Sequence, residues 1–340
     1  MIRTLIKIFI VVVVLALGYV AWHLATTYRT IVIDSNENSG GLGGVFCLFR
    51  LCANDKNIII NDPFPIPAED PNRFNILILG IRGEEDLSNG GLLTDTIMLL
   101  SIDKTSSRAT LISIPRDLSI DMDGTLVSGK VLRLKGKLNE VYAHGYANQQ
   151  GLTLTSQIMS RLTGVSVSKA VLFDFKAFST VVDALDGVDI HLDKPFSEKQ
   201  QWGFEFSLPA GDNHLKGDQA LYYVRSRYSS SDFDRARRQQ QVMFAIKKKA
   251  TTLGFLANPV KVSALIASMK GNLRTNIQIW EVGDFINLAG KLKTADLKTS
   301  VISTDNLLEE SRTPGGEYIL TPKGGNFALV RDYFKNILNP

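Results

Sequence analysis

Five arginines lie close together in the stretch VRSRYSSSDFDRARRQQQ, which runs from Val224 to Gln241. Guanidinium groups crowded in this way repel one another, and each long side chain loses rotamer entropy when it is held still. The stretch is therefore either a solvated basic helix face or a site that binds an anion. Its charged members are Arg225, Arg227, Arg235, Arg237 and Arg238, with Asp232 and Asp234 among them.

The second half of the stretch predicts the start of a helix. Asp232 is a suitable N-cap, and Arg235, Arg238 and Gln239 then lie in the first two turns. Cations there are next to the positive end of the helix dipole, which costs about 0.3–1 kcal/mol for each charge. Either the two aspartates neutralise this charge or an external anion does, since a helix N-terminus with forked guanidinium donors is a good phosphate receptor.

Charged residues also lie at the ends of two predicted strands. The sequence ISIPRD delivers Arg116 and Asp117 just past the C-terminal end of one strand, and LTDTIM places Asp95 at the start of its neighbour. Ligand sites in α/β folds lie outside the C-terminal ends of strands, so Arg116 is a further candidate for binding an anion. Asp95 is either an ion-pair partner of the arginines or a ligand of Mg²⁺ on a diphosphate, because Mg²⁺ favours one or two carboxylates together with phosphate oxygens.

The elements that must position these residues alternate between short apolar strands and amphipathic helices. This alternation predicts an α/β fold, a three-layer α-β-α domain with a central mixed sheet. Trp202, Phe204 and Phe206 alternate, which predicts a half-buried strand, with stacking on sugars as the alternative. The other strands are predicted at residues 75–80, 96–102, 109–114, 169–173, 188–192 and 298–303. The helices are predicted at residues 138–144, 153–162, 175–185, 236–252, 260–269, 279–292 and 327–338.

The N-terminal region differs in composition from the rest of the chain. Residues 5–25 are apolar apart from Lys7 and His23, which predicts one uncleaved transmembrane helix ahead of the domain, with a cleaved signal peptide as the alternative. The positive-inside tendency places the N-terminus in the cytoplasm and everything after the helix outside the cell membrane. Cys47 and Cys52 then lie in an extracytoplasmic stalk, either as a small disulfide loop or as two reduced thiols.

Length, composition and charge are those of an ordinary globular protein with a local basic site. The chain has 340 residues, a hydrophobic fraction of 44% and a net charge of +4. Residues 225–249 alone contribute +6, so the remainder is slightly acidic. The predicted organisation is a tail and anchor at 1–28, a stalk at 29–72, the α/β domain at 73–250 and an extension packed on that domain at 251–340.

Seven segments, in order, make the chain resemble the LytR-CpsA-Psr family of cell-envelope proteins. They are NILILG, TDTIMLLSID, ISIPRD, KLNEVYAHG, VLFDFKAFSTVVDALDGVDIHL, LPAGDNHLKGDQALYYVRSR and SDFDRARRQQ, and they cover roughly residues 74–249. The resemblance implies a membrane-anchored phosphotransferase that takes a glycopolymer from a polyprenyl-diphosphate carrier and attaches it to peptidoglycan through a phosphodiester. In that family an arginine-lined pocket grips the diphosphate, Mg²⁺ assists, and the lipid tail lies in an apolar groove.

Matching the family motifs position by position implies a role for each charged residue. Arg116 and Asp95 are implied to be catalytic, with Asp95 as the aspartate associated with the metal. Asp232 is implied to orient the arginines, whereas Arg237 has no functional counterpart and is expected on the solvated face. Asp117 is expected to orient Arg116 as its structural partner, and Asp95 and Asp117 are the two candidates for removing the proton of the acceptor hydroxyl. The residues implied to bind the diphosphate are Arg116, Arg225, Arg227, Arg235, Arg238 and Gln239.

Two departures from the family pattern affect the metal site. The family usually has Arg before the Ser/Thr-Asp pair, where this chain has Leu93, and commonly has Asp shortly after the first strand, where this chain has Arg82. We hypothesise that Arg82 replaces the missing arginine in space. One of three acids that follow it would then supply the lost carboxylate: Glu84, Glu85 or Asp86.

Two other functions would use the same pocket. A polyprenyl-diphosphate phosphatase differs only in using water as the acceptor, and a non-catalytic regulator of the cell envelope would bind the lipid diphosphate without reaction. The loss of arginine at Leu93 favours the regulator. Nucleic acid is not expected as a partner, because the basic residues lie beyond a membrane anchor and have no aromatic platform among them. The sequence also contains no GxSxG, HExxH or phosphate-loop motif.

Overall fold

The computed structural model describes residues 58–61, 64–126, 131–147, 149–255, 258–292 and 297–339. The predicted membrane helix, most of the stalk and the cysteines Cys47 and Cys52 lie outside these residues. Within the described ranges, no helix is both long enough and apolar enough to cross a membrane.

The described chain folds into fifteen strands and eight α-helices. The strands are β1 (Ile58–Asn61), β2 (Arg73–Gly80), β3 (Thr96–Asp103), β4 (Ala109–Ser113), β5 (Ser119–Leu126), β6 (Val131–Lys137), β7 (Lys169–Phe173), β8 (Val188–Leu192), β9 (Phe196–Glu198), β10 (Phe206–Leu208), β11 (Gly211–Leu215), β12 (Leu273–Thr275), β13 (Leu297–Val301), β14 (Leu308–Arg312) and β15 (Tyr318–Pro322). The helices are α1 (Val141–Tyr146), α2 (Gly151–Thr163), α3 (Phe175–Ala184), α4 (Gly217–Arg225), α5 (Asp232–Thr252), α6 (Pro259–Ser268), α7 (Ile279–Lys291) and α8 (Ala328–Leu338).

The centre of the fold is a six-stranded sheet in the order β12-β7-β2-β3-β4-β13. The pairs β2–β3 and β3–β4 are antiparallel, whereas β2–β7 and β4–β13 are parallel. The predicted mixed sheet is therefore confirmed. Both edge strands, β12 and β13, come from the part of the chain after residue 250, so this part completes the central sheet.

Alternation along β2 explains why the sheet is covered on both faces. Leu77 and Leu79 point into a core formed with α2 and α8, while Ile76 and Ile78 point the other way, towards Met243 of α5. Successive side chains of a strand face opposite sides, and all four residues are buried. The layers are thus helix, sheet and helix, which confirms the predicted α-β-α arrangement.

Close packing at the end of β2 sets the distance between two strands near the predicted site. A Cβ atom on Gly80 would lie only 3.0 Å from the Cβ of Thr96, the first residue of β3. A larger residue would push β3 away from β2 at the point where Asp95 enters the sheet. Gly80 therefore helps to fix the position of Asp95.

The aromatic alternation at residues 202–206 does not form the predicted strand. The strand in this region is β10, which begins at Phe206, and Trp202 lies in a turn before it. Trp202 packs on Tyr222 with ring centroids 5.1 Å apart, and its Nε1 donates to Ser226 Oγ at 3.3 Å. These contacts come from α4 and the loop after it. Tertiary packing therefore places Trp202 in a turn, although the alternation of aromatic residues favours a strand.

Candidate functional site

Arg116 and Asp95 form an ion pair where β4 ends and β3 begins. Arg116 Nη1 donates to Asp95 Oδ1, and Arg116 Nε lies 3.4 Å from Asp117 Oδ2. Asp117 in turn accepts a hydrogen bond from Lys137 Nζ at 2.9 Å. Burial alone would lower the pKa of Arg116, but the carboxylates of Asp95, Asp117 and Asp232 outweigh burial and raise it. Arg116 is therefore held as a fixed cation.

Arg235 reaches the same position from the first turn of α5. Its Nη2 donates to the backbone carbonyl of Asp95 at 3.1 Å and lies 2.9 Å from Asp232 Oδ1. The residue is only 4% exposed, and its buried Nε has no hydrogen-bond partner. Burial lowers the pKa of Arg235 to about 10, which still leaves the guanidinium charged at pH 7. A buried donor without a partner is costly, so this nitrogen is available to an incoming anion.

The start of α5 lies one residue earlier than predicted. Ser231, not Asp232, is the N-cap: its Oγ accepts from the N–H of Asp234 at 3.1 Å, while Asp234 Oδ2 accepts from the N–H of Ser231 at 3.2 Å. This reciprocal capping box satisfies two backbone donors. It leaves Asp232 free to pair with Arg235 and to face Arg227 Nε at 3.9 Å. Asp232 therefore bridges two of the predicted diphosphate-binding arginines.

Arg237 points away from this cluster, as expected. Its Nη1 donates to Asp234 Oδ1 at 2.8 Å, and both side chains are about half exposed, at 54% and 46%. A solvated ion pair of this kind contributes little to stability. The capping residue Asp234 is thus the counter-charge of Arg237, while Asp232 is the counter-charge of the inward-facing arginines.

Arg225 lies between two aromatic rings at the C-terminal end of α4. Its Cζ atom is 3.9 Å from the ring centroid of Phe175 and 4.9 Å from that of Trp202. Burial lowers the pKa of Arg225, and the positive charge of Arg82 lowers it further. Among the described side chains, none forms a salt bridge with Arg225. Aromatic faces stabilise this cation without neutralising it, so its charge remains available to a ligand.

The departure at Arg82 brings a cation to the side of the site where Arg225 lies. Arg82 Nη1 donates to Asp86 Oδ2 at 3.0 Å, and its charge acts on Arg225. Of the three acids named above, Asp86 is the one that contacts Arg82. Glu84 instead pairs with Arg274 of β12. That Arg82 replaces the missing family arginine stays a prediction.

Arg238 does not line the cavity and is hydrogen-bonded to the protein instead. Its Nε donates to the carbonyl of Tyr223 at 2.9 Å, Nη1 donates to Ser230 Oγ at 2.9 Å, and Nη2 donates to the carbonyl of Ser226. All three nitrogens of the guanidinium group are thus used by the protein. In this structure Arg238 holds the segment that carries Arg227, and its direct contact with a diphosphate stays a prediction.

Two residues that the sequence did not single out anchor the same segment. Glu198 is 1% exposed, and its Oε2 accepts from the backbone N–H groups of Tyr228 at 3.0 Å and Ser229 at 3.1 Å. Gln201 donates to the carbonyl of Arg225 at 3.0 Å and accepts from the N–H of Arg227 at 2.6 Å. Neither residue belongs to a recognisable motif, because each acts on backbone atoms that are distant in sequence.

A cavity of about 10 Å³ lies between Asp95, Arg116 and Arg235, and its volume is close to the smallest that holds one water molecule. Asp95, Arg116, Asp232, Arg235 and Gln239 therefore come together, as predicted, and the side chains would have to part to admit a diphosphate. The lining residues are Asp95, Ile97, Ser113, Ile114, Pro115, Arg116, Asp232, Phe233, Arg235, Ala236, Gln239 and Val301.

The carboxylates at the cavity limit what metal chemistry the site allows. Within the part of the chain that the structure describes, no group of three or more His, Cys, Asp or Glu side chains is arranged to hold a metal ion. Mg²⁺ does not need such a cage, because it is commonly bound by one or two carboxylates plus phosphate oxygens and water. Asp95 lines the cavity beside Arg116. Its carboxylate could therefore supply the one protein ligand that Mg²⁺ needs when the metal arrives with a diphosphate.

Comparisons with known proteins agree on one family. The LytR_cpsA_psr family profile matches residues 52–328. The chain is 28% identical over 275 residues to the regulatory protein MsrR of Staphylococcus aureus, covering 78% of this chain and 76% of that protein. It is 29% identical over 225 residues to the polyisoprenyl-teichoic acid–peptidoglycan teichoic acid transferase TagU of Halalkalibacterium halodurans, covering 64% and 66%. The crystal structure of B. subtilis TagV has the same fold, with a TM-score of 0.61 at 24% identity, covering 79% of this chain and 98% of that one.

Proposed function

The chain belongs to the LytR_cpsA_psr family, and from this premise we propose that it is a membrane-anchored phosphotransferase of the cell envelope. It takes a glycopolymer from a polyprenyl-diphosphate carrier and attaches it to peptidoglycan through a phosphodiester. The relative TagU is named as a transferase of teichoic acid to peptidoglycan, which supports this class of reaction. The predicted N-terminal helix would hold the catalytic domain at the outer face of the cell membrane.

The observation that carries the proposal is the pair of cations at the cavity, a buried Arg235 and a partly buried Arg116. Arg116 and Arg235 approach it from different elements, and the Nε atoms of both lack a hydrogen-bond partner. Guanidinium groups match phosphate oxygens in charge and geometry. Such fixed donors stabilise negative charge on a phosphoryl group without reorganisation during the reaction. A pair of fixed cations of this kind fits a diphosphate far better than a neutral ligand.

Phosphoryl transfer at this site would depend on charge and position rather than on a covalent intermediate. Arg116 and Arg235 would bind the diphosphate centrally, with Arg225, Arg227 and Gln239 around them. The acceptor hydroxyl oxygen bonds to the phosphorus that carries the glycan, and the bond from that phosphorus to the bridging oxygen breaks. Polyprenyl monophosphate leaves and takes up the proton that the hydroxyl group loses. Mg²⁺, when bound at Asp95, would neutralise charge on the phosphate oxygens. Asp117, bound to Lys137 and Arg116, orients Arg116.

The test uses the full chain in detergent micelles with a polyprenyl-diphosphate glycan, Mg²⁺ and a peptidoglycan oligosaccharide. Mass spectrometry follows polyprenyl monophosphate and the phosphodiester-linked product. We expect both products from the wild type and from Arg108→Ala, an exposed arginine at the far end of β4, and neither from Arg116→Ala. Monophosphate alone would favour the phosphatase. Tight binding of the lipid without any product would favour the regulator, which the family departure at Leu93 also favours.

A further inference from the structure

The hairpin formed by β14 and β15 is joined to the segment that carries Arg116, although it lies outside the motif segments at residues 74–249. Its two strands pair from Leu308 opposite Pro322 to Arg312 opposite Tyr318. The N–H of Leu320 donates to the carbonyl of Asp117 at 2.9 Å, and Leu320 forms a parallel bridge with Leu118. The hairpin is therefore hydrogen-bonded directly to the segment that carries Arg116.

The two faces of this hairpin have different surroundings. Leu308 and Leu320 lie on one face and are buried in the main core, at 0% and 3% exposure. Because strand side chains alternate and Leu320 is opposite Glu310, this face also includes Glu310, Arg312 and Tyr318. The core-facing side of the hairpin thus continues, beyond the leucines, as a polar surface. Glu309 and Thr321 lie on the opposite face.

The polar part of this face is formed by Tyr318 and Glu310. Tyr318 is 37% exposed, and its hydroxyl donates to Glu310 Oε1 at 3.3 Å. Burial and the charges of Glu310, Asp117 and Asp232 raise the pKa of Tyr318 to about 12. Tyr318 is two residues from Leu320, whose N–H donates to the carbonyl of Asp117, the residue after Arg116. At pH 7 the phenol keeps its proton and can both donate and accept hydrogen bonds.

The charge of this surface differs from that of the opposite side of the cluster. Arg225, which has no salt bridge among the described side chains, and Arg82, which is paired with Asp86, bring positive charge to one side. Glu310 and the neutral Tyr318 form the other side. Arg312 shares their face, but its Nη1 donates back to the carbonyl of Gly316 at 2.9 Å within the hairpin turn. The carboxylate of Glu310 repels phosphate, and a carboxylate beside a phenol offers the acceptors and the donor that the hydroxyl groups of a sugar need.

We propose that the β14–β15 hairpin forms an acceptor subsite, where Tyr318 and Glu310 bind hydroxyl groups of the glycan that receives the phosphoryl group. The inference rests on the proposed function, because an acceptor is needed only if transfer takes place. It assigns the donor diphosphate to the arginine side of the cluster and the acceptor sugar to the hairpin side. The last ninety residues would then contribute to specificity as well as to the sheet.

The test measures sugar binding directly, without turnover. The full chain in detergent micelles is titrated with N-acetylglucosamine tetrasaccharide, a neutral glycan, and separately with geranylgeranyl diphosphate. We expect Tyr318→Phe and Glu310→Gln each to weaken tetrasaccharide binding by roughly three- to ten-fold, the loss of one hydrogen bond, with diphosphate binding within two-fold of the wild type. Glu309→Gln is the matched control, because this glutamate lies on the opposite face of the same strand.

Two results would overturn the subsite: equal tetrasaccharide affinity in the wild type and in both variants, or no tetrasaccharide binding by the wild type. Both results concern sugar binding alone, so either is distinguishable from failure of the proposed function. That failure would be a wild-type protein that binds diphosphate and tetrasaccharide but forms no phosphodiester product.

Discussion

Arg116 and Asp95 are 21 positions apart in the sequence, yet their side chains form an ion pair that lines a small cavity. The antiparallel pairing of β3 and β4 produces this contact, because it places the end of one strand next to the start of the other. Asp95 therefore neutralises Arg116 in the free protein. An incoming diphosphate must therefore compete with the carboxylate of Asp95 for Arg116, unless a metal cation binds that carboxylate.

Replacement of Asp95 tests that competition. Asp95→Asn removes the charge that pairs with Arg116 and that would hold Mg²⁺. In the absence of Mg²⁺, we expect geranylgeranyl diphosphate to bind the variant as tightly as the wild type, or up to roughly ten-fold more tightly, the effect of about 1.4 kcal/mol. The gain in affinity that Mg²⁺ gives the wild type should disappear. Isothermal titration with and without Mg²⁺ measures both effects, with the exposed Asp121→Asn as control. An undiminished Mg²⁺ effect in Asp95→Asn would show that the metal is bound elsewhere.

Arg82 is expected to contribute to diphosphate binding through its charge. Arg82→Ala should weaken geranylgeranyl diphosphate binding by roughly three- to ten-fold at low salt, and the loss should shrink at higher ionic strength, because the side chain is partly exposed and its charge is screened. Arg108→Ala removes an exposed arginine from the turn at the other end of β4 and should leave the affinity unchanged. If both variants bind alike at every salt concentration, Arg82 does not replace the missing family arginine.

Glu198 should stabilise both the fold and the arginine segment. Its carboxylate is buried and accepts backbone N–H groups of Tyr228 and Ser229, so Glu198→Gln places an amide donor against backbone donors. We expect the free energy of unfolding to fall by about 1–3 kcal/mol and diphosphate affinity to fall with it, as measured by urea unfolding and titration. Glu205→Gln, an exposed glutamate that bonds to Ser197 at 2.7 Å, should change stability by about 0.5 kcal/mol or less.

The contribution of Glu198 to the free energy of unfolding should decrease as the pH falls. Burial alone would raise the pKa of Glu198, but hydrogen bonds from the N–H groups of Gln200, Ser229 and Tyr228 outweigh it and lower the pKa. A carboxyl with a lowered pKa in the folded state stabilises the protein above its unfolded pKa, which is about 4.3 for glutamate. The stability difference between wild type and Glu198→Gln should therefore be full above about pH 5 and shrink as the pH falls through the folded value. A difference that stays constant down to pH 3 would contradict this assignment.

Arg238 and Arg237 are adjacent in sequence and should behave in opposite ways. Arg238→Lys loses a planar fork that bonds to two carbonyls and a hydroxyl, and an ammonium group cannot reproduce this geometry. We expect a loss of about 2–4 kcal/mol in the free energy of unfolding, together with weaker diphosphate binding. Arg237→Lys keeps a solvated ion pair and should stay within about 0.5 kcal/mol. Equal thermal stability of the two variants would contradict the structural role of Arg238.

Several features of this protein could be predicted from the sequence because they depend on local patterns. The strands at residues 75–80, 96–102 and 109–114 follow from short apolar runs that end at Gly80 or Pro115. The crowding of Arg235 and Arg238 follows from their spacing on one helix. The start of that helix was predicted one residue too late, because Ser231 and Asp234 cap each other and Asp232 takes a separate role. A single capping preference could not distinguish these two arrangements.

Only the tertiary structure decided which side each charged residue faces and what it contacts. Helical spacing places Arg235 and Arg238 on one face of α5. It does not reveal that Arg238 donates its hydrogen bonds to the carbonyls of Tyr223 and Ser226, whereas Arg235 reaches the cavity. The roles of Glu198, Gln201 and the β14–β15 hairpin also depend on contacts between segments that are distant in sequence. Composition and periodicity constrain the neighbours of a residue within its own element, whereas the partners of a buried charge are set by how the elements pack together.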